Sequence, residues 1–311
     1  MSEEFNALLA NGTWSLVPKQ PQFNIIGNKW VFRLKRDPDG SKIRYKACLV
    51  VKGFHQCPGI DYTETYSPIT KPLTIRLVLC IVLFNGWPLC QMDVNNASLH
   101  GSISEDIYMS QLPGFVNSHF PDYIYKLHIA LYGLKQAPRA WYNALKDFLT
   151  TYRFLNSRSD TSLSVYNQDG VFVYFLIYVN DLLLTGNNDS FLNAFKIALA
   201  LKFSLKDLES SSFRGMKILP TSHGLFLLQH HYVHELLIST NMQDAKPVST
   251  PFSTSYDLTP TSNAPSCDIR EFGRIIGSLQ YLYLACPDVS FSVNKLSQYM
   301  QASTKIHMKA A

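Results

Sequence analysis

Apolar and polar residues alternate most clearly in Trp30-Val-Phe-Arg-Leu-Lys-Arg36, which has the period of a half-buried strand. Asp37-Pro-Asp-Gly40 is a strong turn signal, and the strand pattern resumes from Ile43 to Val51, so the segment predicts a β-hairpin. Thr74 to Phe84 is nearly all apolar and reads as a buried helix stopped by Asn85-Gly86. Leu89 to Val94 predicts a short buried strand that delivers Asp93 at its end. Gly133-Leu-Lys-Gln-Ala-Pro-Arg139 is polar and punctuated, and leads into a helix from about Ala140 to Thr150. Val171 to Tyr178 and Asp181 to Thr185 are two β-rich runs around a tight turn, a second hairpin. A helix is expected from Ser190 to Lys202 with Asp189 near its cap, followed by two strands between Phe203 and Leu228 around Ser222-His-Gly224. From His231 the pattern turns helical. A linker rich in Pro, Ser and Thr spans Lys246 to Ser266, and helices are expected at Arg270–Leu284 and Val289–Gln301. No internal repeat is visible.

Composition narrows the class. A chain of 311 residues, 46% hydrophobic and 16% charged, can bury a substantial core as one large domain with subdomains or as two domains. The run from Ile75 to Phe84 contains Arg76 and is too short to cross a bilayer. Met1-Ser-Glu-Glu-Phe5 lacks the basic start of a signal peptide, so a soluble intracellular protein is expected. Six cysteines without a Cys-x-x-Cys pair read as free thiols. The net charge is only +5, but eight Lys or Arg (29, 33, 35, 36, 42, 44, 46 and 52) face just Asp37 and Asp39 in the first hairpin, a local surplus of six. Such a ribbon suits a phosphate-rich partner or a solvated hairpin face.

Asp93 and Asp181 are the residues with chemistry to offer. Both stand at strand ends, and two converging carboxylates can hold divalent cations such as Mg²⁺, which prefers oxygen ligands. Nucleotidyl transfer needs that arrangement, with two ions about 3.5–4 Å apart at the attacking and leaving oxygens. The grouping His230, His231 and His234 lacks further ligands at metal spacing and reads as one polar face of a helix. Trp30, Trp141 and Tyr142 read as core anchors in preference to base-stacking platforms.

With these residues stands a longer series: Lys29-Trp-Val-Phe32, Arg44-Tyr-Lys-Ala-Cys-Leu-Val50, Lys52-Gly-Phe54, Asp61-Tyr-Thr-Glu-Thr-Tyr-Ser-Pro68, Gln91-Met-Asp-Val-Asn-Asn-Ala97, Ile107-Tyr-Met109, Leu131-Tyr-Gly-Leu-Lys-Gln-Ala-Pro-Arg-Ala-Trp-Tyr142 and Tyr178-Val-Asn-Asp181. In this order they resemble the reverse transcriptase domain of copia-type LTR retrotransposon Pol polyproteins over nearly the whole chain. The resemblance implies an α+β right-hand polymerase with an antiparallel palm sheet. Residues 1–311 would form a single reverse transcriptase domain, with fingers at about 22–72 and 101–138, palm at 73–100 and 139–228, and thumb at 229–311. It implies Mg²⁺ (two ions, with Mn²⁺ a substitute) held by Asp93 and Asp181. The incoming nucleotide would meet Lys46, Val94, Asn96, Ala97, Ser98 and Gln136. Nucleic acid would meet Lys29, Arg33, Lys35, Arg44, Lys52, Lys135, Arg139 and Tyr178. The implied partners are an RNA or DNA primer–template and dNTPs, with no membrane, in a cytoplasmic particle. RNase H and integrase modules are expected to lie outside this chain.

Departures from the family pattern bear on activity. Asn180 stands where the Tyr-x-Asp-Asp turn has an acid, replacing an anionic ligand by a neutral amide. Losses at such electrostatic positions commonly reach ~100-fold, so this copy is expected to be impaired. Ser98 replaces an aromatic that excludes a ribose 2′-hydroxyl, and Cys48 replaces an Arg. Arg214 and Lys217 fall where Leu and Glu are usual and are expected to threaten folding, while Cys286 replaces an Arg. Several of these changes are each reachable by one C-to-T or G-to-A transition, as in a silenced genomic copy. The alternative function is a catalytically dead nucleic-acid-binding remnant. A Mg²⁺-dependent nuclease would share the carboxylates but has no use for the basic hairpin or for the Leu131–Tyr142 segment.

Overall fold

The computed structural model describes residues 1–36, 42–207, 212–213, 216–222, 224–248, 250–252, 258–259 and 265–311. The expected turn at Asp37–Gly40, Arg214 and His223 lie outside them. The chain forms two compact units, one of residues 1–70 and 88–207, the other of residues 71–87 and 208–311.

The first unit is built on a six-stranded, wholly antiparallel sheet. Its order is Leu205–Asp207, Leu89–Val94, Asp181–Gly186, Val171–Tyr178, Leu163–Gln168 and Leu155–Asn156. Val173, Phe175, Ile177, Leu182 and Leu184 meet two helices, Ala137–Thr151 and Asp189–Lys202, in one core with Trp141, Leu145, Leu149, Phe195 and Leu199. Leu176 and Leu183, which alternate with these residues, are also fully buried, so the central strands read as continuous apolar runs. Pro138 opens the first helix, where its missing N–H and fixed φ cost nothing; the helix therefore begins three residues before the expected Ala140. The second helix is capped by Asn188, whose side chain accepts from the Phe191 N–H at 2.9 Å, with Asp189 next to the cap as expected.

A second core lies beneath a four-stranded sheet ordered Trp14–Val17, Ile124–Ile129, Ser102–Met109 and Ile25–Ile26, the last pair parallel. Leu8 of an N-terminal helix, Ser2–Ala10, joins this core. These elements are absent from the sequence expectation because their strands are short and irregularly patterned. The basic hairpin pairs Asn28–Arg36 with Lys42–Val51 as an isolated two-stranded ribbon. Leu49 and Val51 anchor its base in the second core, but Phe32 and Tyr45 are 68% and 76% exposed. It is buried at its root only, not half-buried along its length.

In the second unit, helix Pro72–Asn85 starts on a proline and ends at Gly86, which takes the left-handed φ of +63° that a C-terminal glycine permits. Ile75, Val78, Leu79 and Val82 are buried, whereas Leu73, Leu77 and Phe84 are exposed; the helix is amphipathic and not wholly buried. Arg76 donates to the carbonyls of Tyr283 and Leu284. Strands Ser212–Phe213, Met216–Thr221 and Gly224–Leu228 form a three-stranded sheet. Among the described residues, four α-helices follow: His230–Ser239, Ile269–Tyr281, Ser290–Ser297 and Lys305–Ala310. Ile269–Tyr281 yields to a 3₁₀ turn at Leu282–Leu284, so the last two expected helices are shorter than their apolar patterns. Leu258, within the expected linker, is buried with Phe272, Ile276, Val293 and Leu296, and its carbonyl pairs with His307 Nε2 at 2.9 Å. Lys217 is exposed, which removes the desolvation argument against it. His230, His231 and His234 are exposed on the first turns of their helix. All six cysteines are free. Among the described residues no helix is long and apolar enough to cross a membrane.

Candidate active site

Two central strands of the six-stranded sheet bring the acids together. In the antiparallel pairing of Leu89–Val94 with Asp181–Gly186, Asp93 and Asp181 stand directly opposite each other, a register that places Cβ atoms about 4.5–5.5 Å apart. Both residues are half-buried. Tyr178 pairs with Asp181, leaving Val179 and Asn180 as a two-residue hairpin loop. Val179 takes φ +54°, a left-handed conformation rarely tolerated by a β-branched residue. The Trp141 indole N–H donates to the Val179 carbonyl at 2.6 Å, and the Val94 N–H donates to the Asn180 carbonyl at 2.9 Å. The Asn180 amide donates to Asp93 Oδ1.

Past Asp93 the chain turns sharply. The Asn95 N–H donates to the Ser204 carbonyl at 2.8 Å, and Asn96 takes φ +51°, which its short polar side chain tolerates. A 3₁₀ turn, Ala97–His100, follows. Val94 and Ala97, expected beside a nucleotide, are buried in or against the core, so only their backbone is available to a ligand. Asn96 and Ser98 are half-buried.

The Leu131–Tyr142 segment is held by a buried amide network. Gln56 Nε2 donates to Gln136 Oε1 at 2.9 Å, Gln136 Nε2 to the Asp61 carbonyl at 3.0 Å, and the Lys135 N–H to Gln56 Oε1 at 2.8 Å. Gln136 is therefore engaged inside the protein and fully buried, not presented to a nucleotide. Arg139 is ion-paired with Glu105, both largely buried, so it is not a free phosphate contact. Lys135 is exposed, with its ammonium 3.0 Å from the Tyr62 hydroxyl. Lys29 is exposed, while Lys52 and Tyr178 are half-buried. Arg33 stands in register opposite Lys46, and Lys35 opposite Arg44; the side chains of these four lie outside the described residues.

Two residues near the acids were passed over in the sequence. Tyr132 follows Leu131 in the motif; burial pushes its phenol pKa up, and the negative charges of Cys48, Asp93 and Glu4 push it further, so it lies within electrostatic reach of Asp93. His100 is pushed below its usual value by burial, with Lys202 acting the same way against a backbone bond at Asn95. The motif could have flagged Tyr132; nothing local in the sequence marks His100.

Among the described residues there is no group of three or more His, Cys, Asp or Glu that could hold a metal. The donors at hand are the carboxylates of Asp93 and Asp181 and the amide oxygen of Asn180. Mg²⁺ is commonly held by one or two carboxylates together with waters and substrate phosphates, so the pair fits one such ion, and a second lacks an anionic ligand.

Comparison with known proteins identifies the family. A family model described as "Reverse transcriptase (RNA-dependent DNA polymerase)" matches residues 11–254. The Retrovirus-related Pol polyprotein from transposon RE1 of Arabidopsis thaliana is 47% identical over 312 residues, covering 100% of this chain and 21% of the relative. The corresponding polyprotein from transposon RE2 of the same plant is also 47% identical, with the same coverage. That from transposon TNT 1-94 of Nicotiana tabacum is 36% identical over 321 residues, 100% of this chain and 24% of the relative. The chain thus spans about a fifth of the length of the first two relatives. Acids paired across central strands, the Leu131–Tyr142 motif and similarity along the whole chain converge on one assignment: the chain belongs to the reverse transcriptase family, as the reverse transcriptase domain of a copia-type Pol polyprotein.

Proposed function

We propose that the chain carries the nucleotidyl-transfer site of an RNA-directed DNA polymerase, attenuated in this copy by Asn180. The observation that carries the reading is the cross-strand pair Asp93–Asp181. In this reading the two carboxylates would hold Mg²⁺, which would lower the pKa of a primer 3′-hydroxyl and offset charge developing at the α-phosphate of a dNTP. Asp93 and Asp181 supply the negative charge, and the rigid strands under them fix its position. Asn180 works against them: its amide takes an oxygen of Asp93 as hydrogen-bond acceptor and adds no charge. An acid at 180 could not make that bond and would leave Asp93 open.

The basic hairpin fits a polyanionic substrate, primer–template or triphosphate. The register sets Arg33 opposite Lys46 and Lys35 opposite Arg44, so the ribbon concentrates like charges along the backbone that a polyanion would suit. Ser98 leaves room where an aromatic would exclude a 2′-hydroxyl, so residual synthesis accepts ribonucleotides poorly discriminated from dNTPs.

Primer extension on an RNA template, in Mg²⁺ and then Mn²⁺, tests the reading beside Asn180→Asp. The native chain is expected to be silent or nearly so, and the variant to extend at least ~100-fold faster. If both are silent while the chain still binds duplex, the second reading takes over: a non-catalytic nucleic-acid binder, favoured by the Asn180–Asp93 bond.

A further inference from the structure

We propose that Trp141 is a positioning residue for the carboxylate pair, holding the strained Val179–Asn180 turn so that Asp181 stays opposite Asp93. The inference rests on the reading of Asp93 and Asp181 as cation-holding groups, and assigns a role beyond core packing to a residue that touches neither. Four observations carry it. Trp141 is 2% exposed, and its one polar atom is spent on the carbonyl of Val179, the residue in the left-handed conformation. The neighbouring Asn180 carbonyl is taken by the Val94 N–H, so consecutive carbonyls of the turn are pinned from two separate elements.

The indole itself has little freedom. It meets Phe203 edge-on with centroids 5.1 Å apart and His100 at 5.9 Å. Phe203 precedes Ser204, whose carbonyl receives the Asn95 N–H, so the same aromatic group underlies the chain leaving Asp93. Finally, Gly101 lies so close to the helix start that a Cβ there would come within 2.6 Å of the Ala140 carbonyl carbon and 2.7 Å of the Trp141 nitrogen. The helix is pressed onto the loop after Asp93, and Trp141 reaches from that contact to the turn bearing Asp181. One side chain thereby ties the positions of both acids.

The bond matters because the turn is strained. A valine at φ +54° relaxes toward the β region unless something holds it, and relaxation would rotate Asn180 and swing Asp181 out of register. A cation binding the relaxed turn must restore the register, at the expense of its affinity.

The test replaces Trp141 with 3-benzothienylalanine, which keeps the fused ring and loses only the N–H donor, with Trp141→Phe as the encoded counterpart. Both are made in the Asn180→Asp background. Mn²⁺ affinity of the intact chain is read by electron paramagnetic resonance titration, with thermal unfolding followed in parallel. The expected result is cooperative unfolding with Mn²⁺ binding weakened about tenfold, and recovery of affinity when Val179→Gly is added, because glycine adopts the left-handed conformation without strain. Primer extension should show the loss in kcat with KM for dNTP little changed. Unaltered Mn²⁺ affinity in a cooperatively folded benzothienyl variant overturns the proposal. So does a loss that Val179→Gly does not restore, since that marks general packing damage. If Asn180→Asp binds Mn²⁺ yet never extends a primer, the polymerase reading fails, while the Mn²⁺ comparison still decides what Trp141 does.

Discussion

Two hairpins of one unit follow the same local grammar and end in opposite circumstances. Val171–Tyr178 with Asp181–Gly186 has a strand on each side, helices against one face, and Val173, Phe175, Leu176 and Leu182–Leu184 at zero exposure. Among the described residues, Asn28–Arg36 with Lys42–Val51 has no neighbouring strand, and its large apolar residues Phe32 and Tyr45 face solvent. The first can hold a strained turn and a pair of acids in register because its surroundings over-determine it. The second carries a local surplus of six cations in its sequence. In the reading proposed above, the acids that would hold a cation lie where packing is dense, and the basic residues that would meet a polyanion lie on a ribbon packed only at its root.

The sharpest way to break that contrast is in the core of the first hairpin. Phe175 is fully buried and meets Phe154 and Phe195, so Phe175→Ala should cost about 3–5 kcal/mol in urea unfolding. A cost below about 1 kcal/mol would mean the sheet is loosely packed and cannot store strain. The root of the second hairpin comes next. Gly133 has φ +98°, and a Cβ there would lie 2.1 Å from the Val51 carbonyl oxygen; Gly133→Ala should therefore destabilise by about 3 kcal/mol, read by the same unfolding.

Along the ribbon the expected sign changes. Phe32→Ala and Tyr45→Ala should stay within about 0.5 kcal/mol of the native chain, and a loss above about 2 kcal/mol would show those faces to be covered. Arg33→Gln with Lys35→Gln should leave stability unchanged or raised. The slope of duplex affinity against salt should fall by roughly one for each phosphate contact removed.

The smallest effect is a pH dependence beneath the site. Burial holds His100 below its usual 6.5, so the folded chain takes up its proton less readily than the unfolded chain. Its contribution is complete above pH 6.5 and is lost as pH falls through the lowered folded value. Melting between pH 7.5 and 5.5 should drop less in His100→Gln than in the native chain. The residue is only part-buried, so solvent screening keeps the difference small.

The sequence by itself determined the family, both hairpins, strand Leu89–Val94 to the residue, and Asp93 and Asp181 as the acids that meet. These are local matters: period-two apolar runs, Gly and Asn punctuation, and motifs in fixed order leave few alternatives. The neighbourhood of a helix cap is legible too: Asp189 is expected near it and lies in the first turn, beside the Asn188 cap. Tertiary structure alone decided that Gln136 and Arg139 are spent on Gln56, Asp61 and Glu105, partners some 30 to 80 residues away in sequence. It also decided that Lys217 faces solvent, that Leu258 belongs to a core, and that Trp141 holds the Val179 carbonyl. The reason is physical. A side chain's type fixes what it can bond to, whereas burial and the partners brought within reach by folding fix what it does bond to.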